Sequence, residues 1–416
     1  MAVRLLGHEV SELCIGKPAL RSLSVSDATV ADALSALKRS DERYVSVWSC
    51  QHSWRKAKAA AALAAAAAAT NGVEINVQDS CKCVGKVCMV DIICFLSKEE
   101  NLSNPGIALQ SPVSVLISKG SGFVKHLEPN ASLSDAIDLI LEGAQNLVIP
   151  LRTRKTFVHK PSSSSTIHNN REYCWLTQED ILRYLFNHIG LIGPAPNHPI
   201  ESLNMIDKDN FFTVKYDDPA ASALPGVMAK SLAKQTSVAV VDGEGKVMGE
   251  ISPSTLNSCD ESVAPAIATL SIGDLMAYID YGGPPEELLR LVRKRLEERN
   301  MEASPELMDD ESGFSSSSSA NGSSSDEESS VGSGRSGRFG RYSTRVVRWS
   351  EGTVCRPWSS LVAVMIQALS CRVSYVWVVD EDGSLTGIVT STGVLRVFRE
   401  RLSYMVKAET DHNSNL

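Results

Sequence analysis

Two residue patterns in this chain could do chemistry. The first is a hydroxyl followed three residues later by a carboxylate, as in Thr177-Gln178-Glu179-Asp180. Read as a strand end running into a helix start, the spacing puts Thr177 on the last strand residue and Asp180 in the first helical turn. A carboxylate there can accept two hydrogen bonds from a sugar diol, and free helix-start N–H groups can meet a phosphate. The pattern returns in altered form as Cys88/Asp91, Ser252/Thr255 and Thr390/Gly393. A thiol is a poor donor, so only Thr177 and Asp180 form a complete pair. Ser, Thr and Asp are equally favoured at helix starts with no ligand at all, and capping is the alternative at every copy. The second pattern is a set of soft ligands, Cys50-x-His52 and Cys81-x-Cys83. Residues at i and i+2 share one face of a strand. If the two strands are hairpin partners, three thiolates and an imidazole suit tetrahedral zinc; accidental thiols beside a loop are the alternative. His8, His126, His159, His168, His188 and His198 form no spaced pair with a carboxylate or thiol and read as surface or loop residues.

The elements that must position these residues recur four times. Each copy is a β-branched strand, a tight turn, a second strand carrying Ser or Thr, and a helix start. The clearest runs Tyr375-Val376-Trp377-Val378-Val379, then Gly383, then Leu385-Thr386-Gly387-Ile388-Val389-Thr390. An amphipathic helix precedes each copy, over Val30–Lys38, Leu133–Leu141 and Leu361–Leu369, with Ser or Asp at the expected N-caps. The third copy is less regular, because Pro225-Gly226 interrupts its helix. A further strand precedes each helix, so the unit reads β-α-β-β-α. Internal repetition of this kind decides architecture before any single motif does.

That order, with Gly-x-hydrophobic-Ser/Thr-x-x-Asp across the last strand and next helix, resembles the cystathionine-β-synthase (CBS) domain. The phrase stands here as Gly85 to Asp91, Cys174 to Asp180, Gly249 to Thr255 and Gly387 to Gly393. Four repeats without a catalytic domain resemble the γ subunits of AMP-activated protein kinase, and still more the plant CBS-domain-containing (CBSX-type) proteins. The resemblance implies an α/β (α+β) fold of four CBS repeats paired into two Bateman modules. It implies that Thr177 and Asp180 hold the sugar of an adenosine ligand such as AMP, ATP or S-adenosylmethionine, with Asp91, Cys88, Ser252 and Thr390 at the equivalent places. In kinase γ subunits phosphate is met by basic residues just before the second strand of a repeat, and Arg43 matches one. Asn146, Thr236 and Ser374 fill the other such places without charge, which departs from the γ-subunit pattern.

Along the chain the expected units are repeat one at 10–98 with an insertion at 51–80, and repeat two at 112–190. Repeat three is expected at 201–280, a helix at 283–300 and repeat four at 343–403. Val10-Ser11-Glu12-Leu13 reads as the lead-in to repeat one. Pro284-Pro285-Glu286-Glu287 opens the helix, with acids first and bases last as the helix dipole prefers. Residues 301–342 are rich in Ser, Gly and charge and read as a disordered linker. Serines beside Asp326, Glu327 and Glu328, followed by Arg335, Arg338 and Arg341, would let phosphorylation build a charge clasp; a passive spacer is the alternative.

The net charge is −8 and no basic stripe spans a domain, so a nucleic-acid partner is not expected. No apolar run reaches the length of a membrane span. Ten scattered cysteines fit reduced thiols better than a disulfide scaffold. Glu9 and Glu12 leave no room for a signal or transit peptide, so the expected location is cytoplasmic, with the nucleus also open. No nucleophile–base pair, phosphate-cradling glycine loop or acid/base carboxylate pair is present. The expectation is therefore a non-enzymatic regulator that requires no cofactor, binds an adenosine-type ligand and modulates a protein partner such as kinase subunits. A homodimer through the modules is compatible with it. A ligand-independent adaptor is the alternative.

Overall fold

The computed structural model describes residues 5–39, 43–50, 81–117, 124–151, 168–169, 171–193, 195–228, 237–257, 259–280, 284–301, 307–308 and 350–414. His52, His159, the insertion at 51–80, nearly all of the Ser-rich linker and the clasp lie outside the described residues. Among the described residues, four three-stranded sheets carry the fold. The first is β1 (Ser22–Ser24), β2 (Tyr44–Cys50) and β3 (Cys81–Cys88), and the second β4 (Val124–His126), β5 (Asn146–Pro150) and β6 (Tyr173–Leu176). The third is β7 (Phe212–Lys215), β8 (Val238–Val241) and β9 (Val247–Ile251), and the fourth β10 (Val354–Cys355), β11 (Tyr375–Val379) and β12 (Leu385–Thr390). In each, the first strand pairs parallel with the second and the second antiparallel with the third.

A parallel pair needs a crossover, and the amphipathic segments supply it. Helices Val30–Arg39, Leu133–Leu141 and Leu361–Cys371 make three of the four crossings. In the third repeat the crossover is a 3-10 turn, Ala220–Ala223, followed by a short helix, Leu224–Met228, which contains Pro225 and Gly226 rather than breaking at them. A second helix closes each unit: Met89–Leu96, Gln178–Asn187, Pro253–Leu256 and Ser391–Ser414.

Strand alternation then divides each sheet between two neighbours. In β2, Val45 and Val47 face a helical core shared by repeats one and three, with Ile92, Ile93, Ala266 and Ile267. Its Trp48 faces the other way, onto Val148 and Tyr173 of repeat two. Repeats two and four share the matching helical core around Ile137, Leu182, Val364 and Phe398, while Ala239 of repeat three meets Tyr375 and Trp377 of repeat four. Each repeat thus packs by sheet on one neighbour and by helices on another. Helix Glu286–Glu298 closes the core of repeats one and three by burying Val292 and Leu296. Its Arg295 Nη1 donates to Thr269 O at 2.5 Å.

The lead-in segments do not stay with the repeats they precede. Val10–Leu13, read above as the start of repeat one, sits on repeat two, where Val10 N–H donates to Ala131 O at 2.9 Å and Glu9 bridges Ser132. The same exchange joins Pro112 to Thr29 and Pro199 to Ser360. Each lead-in edge pairs with the helix start of its partner repeat, which pairing rules within one repeat cannot anticipate.

The final helix is fastened to repeat two by a fork. Arg399 Nε donates to Asp138 Oδ1 at 2.7 Å and Nη2 to Oδ2 at 2.8 Å. Asp138 raises the guanidinium pKa still further by its hydrogen bond. Both side chains keep solvent contact, so a double-mutant cycle with Asp138→Ala and Arg399→Ala is expected to return about 0.5–1 kcal/mol of coupling by urea denaturation.

Candidate functional site

The structure sets Thr177 at the end of β6 and Asp180 in the first turn of helix Gln178–Asn187. Thr177 N–H and Oγ1–H donate to Asp180 Oδ2 at 2.7 and 2.6 Å, and Asp180 N–H returns a bond to Thr177 Oγ1 at 3.3 Å. This is a complete capping box. A third donor reaches the same oxygen, the Lys17 ammonium, which also donates to Trp175 O at 2.8 Å. Lys17 comes from the swapped lead-in, 163 residues away in sequence. No spacing signal could have found it.

The equivalent positions differ in access and in partners. Cys88 N–H donates to Asp91 Oδ2 at 2.8 Å, and its thiol reaches the same oxygen at 3.2 Å. In repeat three Ser252 and Thr255 are both fully buried and share a 2.8 Å hydrogen bond. In repeat four Thr390 Oγ1 accepts from Gly393 N–H at 3.1 Å and lines an apolar crevice with Leu182, Val364, Met365 and Val394. All four positions cap a helix, and Thr177/Asp180 combines hydroxyl, carboxylate and partial exposure.

Near Trp175, repeat one contributes an aromatic and cationic wall. The Lys86 ammonium sits 3.5 Å above the Tyr44 ring centroid and 5.6 Å from that of Trp175, and donates to Asn146 Oδ1 at 3.2 Å. Burial holds the Tyr44 phenol above its usual pKa, and nearby Cys88 and Glu179 push the same way. Glu179 belongs to repeat two, so the ends of the two sheets adjoin here. Arg43, directly before β2, is exposed at the same end. Lys86 occupies the variable second position of the repeat signature, where repeat three has Glu250.

The glycine that opens the signature has a steric reason. A Cβ on Gly387 would lie 2.7 Å from Asp207 O, and one on Gly249 would lie 2.5 Å from Ser350 O. A Cβ on Gly85 would lie 2.9 Å from Ile117 Cγ2. In each case a swapped lead-in runs over the strand at that point. Repeat two has Cys174 there, and its thiol lies beside that of Cys14 of the lead-in instead.

Comparison with known proteins follows this geometry. The CBS domain family matches residues 361–400. The chain is 44% identical over 413 residues to the CBS domain-containing protein CBSX5 of Arabidopsis thaliana, covering 97% of this chain and 99% of that one. The chain belongs to the CBS domain-containing proteins. A second Arabidopsis member, CBSX6, is 26% identical over 99% of this chain and 98% of its own length. An Arabidopsis protein named SNF1-related protein kinase regulatory subunit gamma-like PV42b is 22% identical, over 96% of each chain. Among solved structures, a Methanocaldococcus jannaschii protein proposed as an archaeal homologue of γ-AMPK superposes with a TM-score of 0.50 at 15% identity, covering 94% of this chain and all of that one. The four sheets are therefore four CBS repeats. Repeats one with two and three with four pair through their sheets as Bateman modules.

The soft ligands of CBS repeat one are arranged differently from the expectation. Cys50 and Cys81 are direct cross-strand partners. Cys83 lies on the same face but two residues along, about 7 Å at the rise of a strand, and its thiol donates to Gly85 O at 3.4 Å. Burial pushes the Cys83 thiol up to about 12. His168, read above as a loop residue, is 5% exposed and comes within 3.3 Å of Cys50 Sγ. His8, too, has a carboxylate partner, Glu12, at 2.8 Å one helical turn on. Both histidine pairings depart from the sequence reading.

Proposed function

We propose that this protein is a non-enzymatic, ligand-responsive regulator that binds an adenosine-type ligand in the cleft of CBS repeats one and two. The observation that carries this reading is the Thr177/Asp180 pair following Trp175, whose ring stands near Lys86 of repeat one, itself over the Tyr44 ring. Asp180 Oδ1 would take a ribose hydroxyl, since Oδ2 already serves the capping box and Lys17. A base would enter between the Tyr44 and Trp175 rings by displacing the Lys86 ammonium that stands there, and Lys86, Lys17 and the exposed Arg43 supply positive charge for phosphate. Ser252, buried in repeat three, and Thr390, beside an apolar crevice, serve their helix starts instead.

A ligand can shift a partner only through different affinities for two states. Here the cleft lies between two repeats, so occupancy would bias how they sit against each other. The kinase-γ-like relative supports a partner of the kinase-complex class, met in the cytoplasm.

Thermal unfolding with AMP, ADP, ATP and S-adenosylmethionine tests the reading. At a hundredfold excess over Kd, a ligand stabilises by about 2.7 kcal/mol. Wild type is expected to show a shift with at least one of the four, and Asp180→Asn to lose it while keeping its cap. Asp180→Ala should also lose about 1 kcal/mol of basal stability through the cap. No shift in wild type with any of the four would favour the ligand-independent adaptor.

A further inference from the structure

A cluster of soft donors stands away from this cleft, at the mouth of the β2–β3 hairpin. Cys50 ends β2, Cys81 begins β3, and His168 arrives from repeat two, 118 residues from Cys50. Their donor atoms all lie within 4.8 Å of one another. His168 Nδ1 is 3.3 Å from Cys50 Sγ.

The surroundings hold these donors in place. The imidazole lies flat on the buried Trp48 indole, with centroids 3.8 Å apart and planes 3° apart. Its backbone is set by a tight bridge in which His168 and Arg171 exchange N–H···O bonds of 2.9 Å each way. The next residue, Asn169, takes φ 50° and clasps the Cys81 main chain from both sides. Cys81 N–H donates to Asn169 Oδ1 at 2.8 Å, and Asn169 Nδ2 donates to Cys81 O at 3.0 Å. A left-handed Asn that grips the partner strand brings the ring of repeat two to the thiols of repeat one. Cys81 and His168 are buried and Cys50 is half-buried.

We infer that Cys50, Cys81 and His168 form a zinc site that staples CBS repeat one to CBS repeat two. Donors around a tetrahedral zinc stand about 3.5–4 Å apart, given Zn–S near 2.3 Å and Zn–N near 2.0 Å. The three atoms need only contract slightly to reach that spacing. On binding, each thiol releases one proton to solvent. Two Zn–S bonds and one Zn–N bond form, the zinc stays divalent, and the unit becomes neutral. A fourth donor completes the tetrahedron. Soft thiolates with one imidazole select zinc over magnesium or calcium, which prefer oxygen. Because the donors come from two repeats, the ion's binding energy adds directly to their association.

The test uses the full chain, without a histidine tag, purified under reducing conditions. Zinc analysis is expected to find one equivalent per chain, and cobalt(II) titration to give a thiolate-to-metal charge-transfer band. Cys50→Ser and His168→Asn should each lose the zinc and the band, while Cys371→Ser, at an exposed cysteine elsewhere, keeps both. Chelation should lower the Tm of wild type but leave that of Cys50→Ser unchanged, and far-UV circular dichroism checks that each variant folds. A reduced wild-type chain that binds neither zinc nor cobalt overturns the inference without reference to any variant, and leaves Cys50 and Cys81 as a thiol pair. Zinc retained by both Cys50→Ser and His168→Asn overturns the assignment of these donors.

Discussion

Replacing Glu250 by alanine is expected to loosen the junction between the third and fourth repeats and cost about 2–6 kcal/mol, two buried donors at about 1–3 kcal/mol each. Glu250 is 3% exposed and stands on β9 facing repeat four. Its Oε1 accepts from the Tyr375 hydroxyl at 2.6 Å and its Oε2 from the Trp377 indole N–H at 2.7 Å. Tyr375 and Trp377 are themselves buried, so truncation removes the acceptor of two buried donors. A urea midpoint and the Trp emission maximum should move together. Glu250→Gln, which keeps one acceptor, should cost clearly less.

The same residue carries a pH signature of unusual sign. Burial raises the Glu250 carboxyl above its ordinary value of 4.5, and the bonds from Tyr375 and Trp377 only partly offset that. A raised folded-state pKa means that the native state holds its proton after the unfolded state has released it. The unfolded state then binds fewer protons, and stability falls as pH rises from about 4.5 to the shifted value, then levels off. A salt-bridged carboxylate would do the reverse. Urea denaturation across this range should show the fall in wild type and lose it in Glu250→Gln. An identical pH slope in both chains would remove Glu250 as its source.

The second large effect is expected at Gly387. Valine there puts a Cβ 2.6 Å from Ile206 Cγ2 and 2.7 Å from Asp207 O. Asp207 is no bystander: its N–H donates to Ile388 O, and Ile388 N–H donates back to Asp207 O, each at 2.9 Å. The side chain must lift the lead-in off the strand and break both bonds. Overpacking and the lost bonds together cost about 2–4 kcal/mol. Gly190→Ala, with nothing within 4 Å of its Cβ, should stay within about 0.5 kcal/mol. Equal Tm shifts in the two variants would refute the close-approach account.

Much of the fold was legible because it is written locally and four times. Ser132 and Ser360 accept from the N–H groups three residues on, as cap chemistry predicts. The third crossover is irregular as expected, but Pro225 and Gly226 lie inside its short helix and the break comes before Leu224. Thr177 and Asp180 were findable because a capping box is a short-range object. The partners of these residues were not findable. Lys17 on Asp180, Lys86 between two rings and His168 beside Cys50 each depend on contacts across repeats. Cys83 misled because shared-face spacing says nothing about distance along the strand.

The amino-acid order alone therefore determined the repeating β-α-β-β-α unit, its caps and its alternating strand faces, since these follow from backbone sterics and hydrophobic period. Only the tertiary structure decided which repeat each lead-in covers and which sheet faces which. It also decided why a glycine opens the signature and which thiols share an imidazole. The physical reason is that all four units offer similar apolar faces. The choice among neighbours is made by a few long-range contacts, such as Glu250 with Tyr375 and Trp377, that leave no periodic trace in the chain.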